Sequence, residues 1–209
     1  MSLSVVSLRS LLDEYSEEDV LKDILFLFES KDCKGTHSSK DIESFLHNKN
    51  KAINFENQGI SRTYLVFYTE EEFIYLAGYF SIANKDLQIS ENNFNRIEKT
   101  KQRMFQEFGY ESDKKNFISS AILLGQFGKN YNVPKGLENH QVVNGDELMA
   151  SAIEIIKEAY KIIGGKVLYL ECEDHEKLTG FYERHGFAKL DVQRQDDELL
   201  IYMKKLSRI

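Results

Sequence analysis

A long amphipathic helix held between two apolar strands restricts this chain most. Residues 145–165, GDELMASAIEIIKEAYKIIGG, put Leu148, Ala152, Ile155, Ile156, Ala159, Ile162 and Ile163 on one stripe at helical spacing. The Gly164-Gly165 pair supplies the stop. FISSAILLGQFG, residues 117–128, stands before the helix and KVLYLEC, residues 166–172, behind it, each an apolar run of strand length. A strand–helix–strand of this length predicts a right-handed crossover, so the two strands are expected to be parallel neighbours.

The rest of the chain surrounds this unit with further elements. Ser16-Glu17-Glu18-Asp19 resembles a capping box and precedes the helical stripe Val20, Leu21, Ile24, Leu25, Leu27, Phe28. A second helix is expected from Ser39, carrying Ile42, Phe45, Leu46 and Ile53 and stopped by Gly59. Residues 63–83, TYLVFYTEEEFIYLAGYFSIA, read as an antiparallel hairpin turning at Thr69–Glu72. Its runs are too apolar for clean alternation, which predicts cover on both faces. Ser90 is expected to cap one helix carrying Phe94, Ile97, Met104, Phe105 and Phe108, closed by Gly109. A further helix ends at FYERHGF, residues 181–187, stopped by Gly186. FAKLDV and ELLIYMKKL then form two closing strands joined by the polar QRQDD. The order predicts an α/β chain (α+β mixed sheet) with helices on both faces.

Composition narrows the class. The 209 residues, 42% hydrophobic with one proline and no low-complexity linker, give one domain over 1–209 as the expectation. The opening MSLSVVSLRS lacks the basic and apolar regions of a signal peptide, and no apolar run reaches ~18 residues, so no membrane partner is expected. Cys33 and Cys172 are too few for a disulfide framework, which fits a reducing, cytoplasmic setting. The five histidines show no HExxH spacing and no cysteine partner, so no metal is expected. Gly164-Gly165-Lys166 is not a P-loop, because it follows a helix and position 160 is tyrosine. A net charge of −7 argues against broad nucleic-acid binding, though not against a local patch; Arg96, Lys99, Lys101 and Arg103 form a basic segment that reads first as a solvated helix face.

The LLGQFG strand, the loop after it, the GDEL helix start, the second strand and the FYERHGF helix end together resemble the core of the GNAT superfamily of N-acetyltransferases, over roughly residues 60–205. The resemblance implies a mostly antiparallel sheet whose central parallel pair splays to admit acetyl-CoA as co-substrate. It implies that Gln126, Phe127, Gly128 and Lys129 offer backbone to the pantetheine arm, as an added strand would. It implies that Val143, Asn144, Gly145, Asp146 and Glu147 surround the pyrophosphate at a helix N-terminus, and that His175 stands where the family often has an Asn near the cofactor. The sequence departs from the family loop, with His140 at its basic or amide position, Gln141 one place away, and Val143 at its first glycine.

Tyr182 stands where the family's general acid stands. A phenol of pKa ~10 is protonated at neutral pH and can give its proton to the departing thiolate. Phe181 and Phe187 read as core, and Arg184 and His185 as cations at a helix end. A general base is not legible, and Glu70, Glu71 and Glu72 read as a solvated turn. The first reading is transfer of an acetyl group to a primary amine of a small molecule or peptide, by direct attack in a ternary complex, in an enzyme whose assembly includes a homodimer among the options. Two other readings stand beside it. One is a toxin-type GNAT that acetylates aminoacyl-tRNA, with the 96–103 segment on RNA. The other is a catalytically silent GNAT-fold binding module.

Overall fold

The computed structural model describes residues 2–33, 35, 39–70, 73–112, 116–135, 137, 143–192 and 199–209. In chain order the elements are β1 (Ser2–Ser7), α1 (Leu8–Glu14), α2 (Glu17–Asp23), a 3-10 turn (Leu25–Leu27), α3 (Lys40–His47), α4 (Ala52–Gln58), β2 (Arg62–Glu70), β3 (Phe73–Asn84), β4 (Leu87–Ser90), α5 (Glu91–Phe94), α6 (Lys99–Phe108), β5 (Gly109–Glu111), β6 (Asn116–Ser119), β7 (Ala121–Lys129), α7 (Gly145–Ile163), β8 (Val167–Cys172), α8 (Glu176–Arg184), β9 (Ala188–Leu190), β10 (Leu200–Lys205) and a closing 3-10 turn (Leu206–Arg208). They form two compact units interleaved along the sequence, Met1–Ala83 with Gly125–Ile155, and Asn84–Leu124 with Ile156–Ile209.

In the first unit β1 pairs antiparallel with β2, and β2 with β3 through the expected hairpin. Strand β3 neighbours β7. Helices α1 to α4 bury Leu8, Val20, Phe45, Leu46 and Ile53, and the 3-10 turn its flanking Phe28, against Leu65, Leu76 and Tyr79 of the strands. Each fully buried side chain of this kind contributes roughly 1.5–3 kcal/mol. The predicted Ser16 cap is present: the Asp19 N–H donates to Ser16 Oγ at 3.1 Å, and Ser16 Oγ donates to Asp19 Oδ2 at 2.7 Å.

In the second unit β7 pairs with β8 as the expected parallel neighbour, and β8 and β9 each pair antiparallel with β10. The main sheet is thus mostly antiparallel with one parallel pair among the described strands, β7 being common to both units. The parallel ladder has four pairs, from Ala121↔Val167 to Leu124↔Leu170. Strand β7 runs on to Lys129 past its last pair. A separate small sheet, β4-β6-β5, packs with Phe94, Ile97 and Phe105 onto Ala121, Val167, Tyr169 and Met203.

Several expected elements are divided. The helix expected from Ser39 to Gly59 is two, α3 and α4, because Asn48 turns back on itself: its Oδ1 accepts from the Asn50 N–H at 3.0 Å, an alternative to the helical ladder. Ser90 caps only the short α5, its Oγ accepting from the Asn93 N–H, and α6 starts afresh. The Gln102 amide satisfies the carbonyls freed at that break, donating to Phe94 O at 2.9 Å and Ile97 O at 3.1 Å. The run 117–128 is two strands in different sheets, β6 and β7, broken at Ser120, whose carbonyl accepts from the Lys166 N–H. Strand β1, helix α1 and strands β4 and β5 were not expected. The QRQDD connector lies outside the described residues.

Gly128 is fixed by a close approach on β7. A Cβ there would stand 2.6 Å from Ile42 Cγ2 and 3.0 Å from Phe28 Cζ. Gly128→Ala is therefore expected to destabilise the protein by about 1–3 kcal/mol, as overpacking of a filled core does. Urea unfolding would check it, with an unchanged midpoint counting against this packing.

Candidate active site

The chemistry predicted from the sequence falls on two places, one in each unit. In the first unit the end of β7 and the start of α7 carry all the expected cofactor residues except His175. Alternation on β7 sends Gln126 and Gly128 toward α3: the Tyr79 hydroxyl donates to Ile42 O at 2.6 Å and also lies 3.3 Å from Gln126 Oε1. Burial holds the Tyr79 phenol well above its usual pKa. Gly78 lets β3 come close here, since a Cβ on it would meet Gly128 O at 2.8 Å and Leu148 Cδ2 at 2.9 Å.

Strand β7 ends in a buried polar knot. Asn130 is 1% exposed, and its amide donates to Leu27 O at 3.1 Å and Leu76 O at 2.7 Å. Its Oδ1 accepts from the Glu29 N–H at 2.8 Å and the Asn132 N–H at 2.9 Å, and its own N–H donates to Ala77 O. Every polar atom of the side chain is thus paired, the condition under which a buried amide stabilises. Sequence reasoning passed over Asn130. The signal available was the polar stretch Lys129-Asn130-Tyr131-Asn132 directly after an apolar strand.

Helix α7 begins with a reciprocal cap. The Glu147 N–H donates to Asn144 Oδ1 at 2.9 Å, and the Asn144 N–H donates to Glu147 Oε2 at 2.8 Å. Val143, just before it, is buried, while Asp146 is exposed. His140 and Gln141 lie outside the described residues. Of the turn carboxylates, Glu70 accepts the Tyr68 hydroxyl at 2.5 Å, and Glu71 and Glu72 lie outside the described residues. That bond, with the nearby charges of Glu70 and Glu147, pushes the Tyr68 phenol up to about 12.

In the second unit Tyr182 sits on α8, 8% exposed, edge-on to Phe181 and Phe187 at ring distances of 5.3 and 6.0 Å. The Tyr202 ring lies 6.4 Å away, and its hydroxyl donates to Glu183 Oε1 at 3.1 Å. Phe187 is buried as expected, whereas Phe181 is only half-buried, because Arg184 and His185 rest on its ring and share its edge with solvent. Arg184 also donates to Gly180 O, as a cation at a helix end does. His175 is the N-cap of α8, its Nδ1 accepting from the Lys177 N–H. The basic segment is partly spent on structure: Lys101 donates to Lys189 O and stands 3.6 Å from Asp191.

Four phenols, Tyr68, Tyr75, Tyr169 and Tyr202, are raised to about 12, Tyr68 first by its bond to Glu70 and the others first by burial. A phenol raised on folding stabilises the fold below its unfolded value of ~10 and loses that stabilisation as pH rises through the folded value. The urea midpoint is expected to be insensitive to these groups up to pH ~9.5 and to fall between pH ~10 and ~12. A midpoint that rose over that interval would contradict the burial described.

The sequence matches no family model and no curated protein. Solved structures, in contrast, match the whole chain. A tyrosine-to-phenylalanine mutant of the toxin AtaT, bound to the C-terminus of the antitoxin AtaR and acetyl-CoA, superposes with a TM-score of 0.57 at 16% identity, covering 100% of this chain and 96% of that one. A tyrosine-to-phenylalanine mutant of KacT gives 0.60 at 17% identity, over 100% and 97%. AtaT complexed with acetyl-methionyl-tRNAfMet gives 0.60 at 17% identity, over 99% and 96%. This chain has the GNAT fold. In GNAT terms β7 and β8 are the central parallel pair and α7 is the crossover helix between them. No helix among the described residues is long and apolar enough to cross a membrane.

Proposed function

We propose that this chain is an acetyl-CoA-dependent N-acetyltransferase whose acceptor is the α-amino group of an aminoacyl-tRNA. The observation that carries the reading is the end-to-end likeness to AtaT complexed with acetyl-methionyl-tRNAfMet. It outweighs the expectation of a small-molecule or peptide amine, which rested on the family resemblance and the net charge of −7. The acceptor's chemistry agrees. An α-amine titrates near ~8, against ~10.4 for a lysine, so a usable fraction is already unprotonated at neutral pH without a strong base.

In this reading the amine attacks the thioester carbonyl, forming the C–N bond and a tetrahedral intermediate. That intermediate loses one N–H proton to solvent and expels the thiolate as the C–S bond breaks; Tyr182 gives the thiolate a proton, and the phenolate regains one from solvent. The β7 residues Gln126 to Lys129, past the last pair of the parallel ladder, offer backbone to pantetheine, and the start of α7 faces the pyrophosphate. The exposed cations Arg96, Lys99 and Arg103 are the face offered to RNA. By analogy with the toxins, a cognate antitoxin is the protein partner of this reading.

The test is a competition for label. With radiolabelled acetyl-CoA, label is expected in aminoacyl-tRNA and released as the N-acetyl amino acid on mild alkaline deacylation. Label in spermidine or a lysine-rich peptide but not in tRNA would overturn the acceptor. A second reading, the catalytically silent module, is favoured by the Asn144–Glu147 cap, which satisfies amides that would otherwise meet a phosphate. Absence of label from every acceptor would select it.

A further inference from the structure

The start of α7 poses a charge problem for an acyl donor that carries phosphates. Asp146 and Glu147 stand in its first turn, and the Glu147 carboxylate is already folded onto the Asn144 N–H. A diphosphate brought there meets two carboxylates, so compensating cations must come from elsewhere in the first unit. Two ammonium groups converge on one ring beside the end of β7. Lys31 Nζ lies 4.9 Å from the Tyr131 ring centroid and Lys129 Nζ 5.4 Å from it. Tyr131 is 42% exposed.

This arrangement is held from below. The Tyr131 N–H donates to Glu29 O at 2.8 Å, the Glu29 N–H donates to Asn130 Oδ1, and the Ser30 N–H donates to Glu43 Oε2 at 3.0 Å. The segments carrying Lys31 and Lys129 are therefore tied together by one backbone hydrogen bond and one to the Asn130 side chain, and both ammonium groups lie over the ring. Two like charges so placed repel, and burial holds Lys129 below its usual pKa, with Lys31 adding to the shift while Glu147 opposes it. In a chain of net charge −7, two cations brought to one ring, each raising the cost of charging the other, are suited to an anion placed against both.

We propose that Lys31, Lys129 and Tyr131 form the seat for the phosphates of the acyl donor's nucleotide half, supplying the positive charge that the acidic start of α7 lacks. The assignment rests on the acetyl-CoA reading above. In it the two ammonium groups bracket phosphate oxygens, and Lys129 exchanges the field of Glu147 for that of the ligand.

The test is equilibrium titration with two donors that share the thioester arm, acetyl-CoA and S-acetylpantetheine, which has no phosphate. Lys31→Ala and Lys129→Met are each expected to weaken acetyl-CoA about tenfold and to flatten its salt dependence, and Lys31→Ala to leave S-acetylpantetheine unaffected. Lys31→Arg is expected to restore most of the loss, and Tyr131→Leu to weaken acetyl-CoA with both lysines intact. An equal loss for both donors, or unchanged acetyl-CoA affinity in both lysine variants, overturns the assignment while leaving the acyl-transfer reading in place. Unchanged acetyl-CoA affinity with weakened tRNA binding overturns it in favour of an RNA contact. Failure of the wild-type protein to bind either donor overturns both readings together.

Discussion

Tyr182→Phe is expected to lower acetyl transfer by a factor of about 10²–10⁴ and to leave folding and acetyl-CoA binding in place, if Tyr182 acts as proposed. The reason lies in what the substitution removes. The ring of Tyr182 is packed against Phe181, Phe187 and Tyr202, and a phenylalanine keeps that packing. Only the hydroxyl is lost, and with it the proton that would neutralise the departing thiolate. Attack of the amine and formation of the tetrahedral intermediate are unaffected, so the loss falls on kcat and not on donor affinity. Steady-state kinetics beside a donor titration would check it. A variant transferring at the wild-type rate would assign Tyr182 to packing alone, and a variant with a lowered melting temperature would make its hydroxyl structural.

Asn130→Leu is the substitution with the largest expected cost in stability, about 3 kcal/mol or more. Leucine keeps the γ-branched shape and is no smaller, so the cost is not a cavity. It removes two donors and an acceptor from a buried site and leaves the Leu76 carbonyl and the Glu29 N–H without their side-chain partner. Each such loss costs about 1–3 kcal/mol. Asn130→Asp retains the acceptor but sets a buried carboxylate oxygen against the Leu27 and Leu76 carbonyls, and is expected to cost at least as much. Because Asn130 directly follows Lys129, the same change is expected to weaken acetyl-CoA through backbone placement. Urea unfolding and donor affinity measured together would check both parts. Full stability in the leucine variant would contradict the hydrogen-bond network described.

The parts of the fold that could be read from the sequence are those in which local pattern and tertiary role coincide. The 145–163 stripe, its Gly164-Gly165 stop and the two flanking strands are specified by periodicity, and the parallel pairing follows from chain geometry. The Ser16 cap and the 62–84 hairpin were legible for the same reason. What failed to show was decided by single polar residues within apolar runs. Asn48 breaks a helix by bonding its own backbone, and Ser120 hands the chain from one sheet to another, though neither alters the hydrophobic pattern. Strand β1 was missed because its six residues alternate weakly and its stability comes from pairing with β2. In the candidate site, Tyr182 and the β7 backbone were identified by family resemblance. Asn130, Lys31 and Tyr131 were not, because their relation depends on residues about a hundred positions apart being joined by backbone hydrogen bonds.

The account stands on this fold taking up an acetyl thioester, and isothermal titration of the wild-type protein with acetyl-CoA tests that directly. Saturable one-site binding at micromolar concentration, weakened by salt because phosphates meet lysines, is the predicted result. No heat of binding up to millimolar acetyl-CoA, from protein shown to be folded, would contradict it.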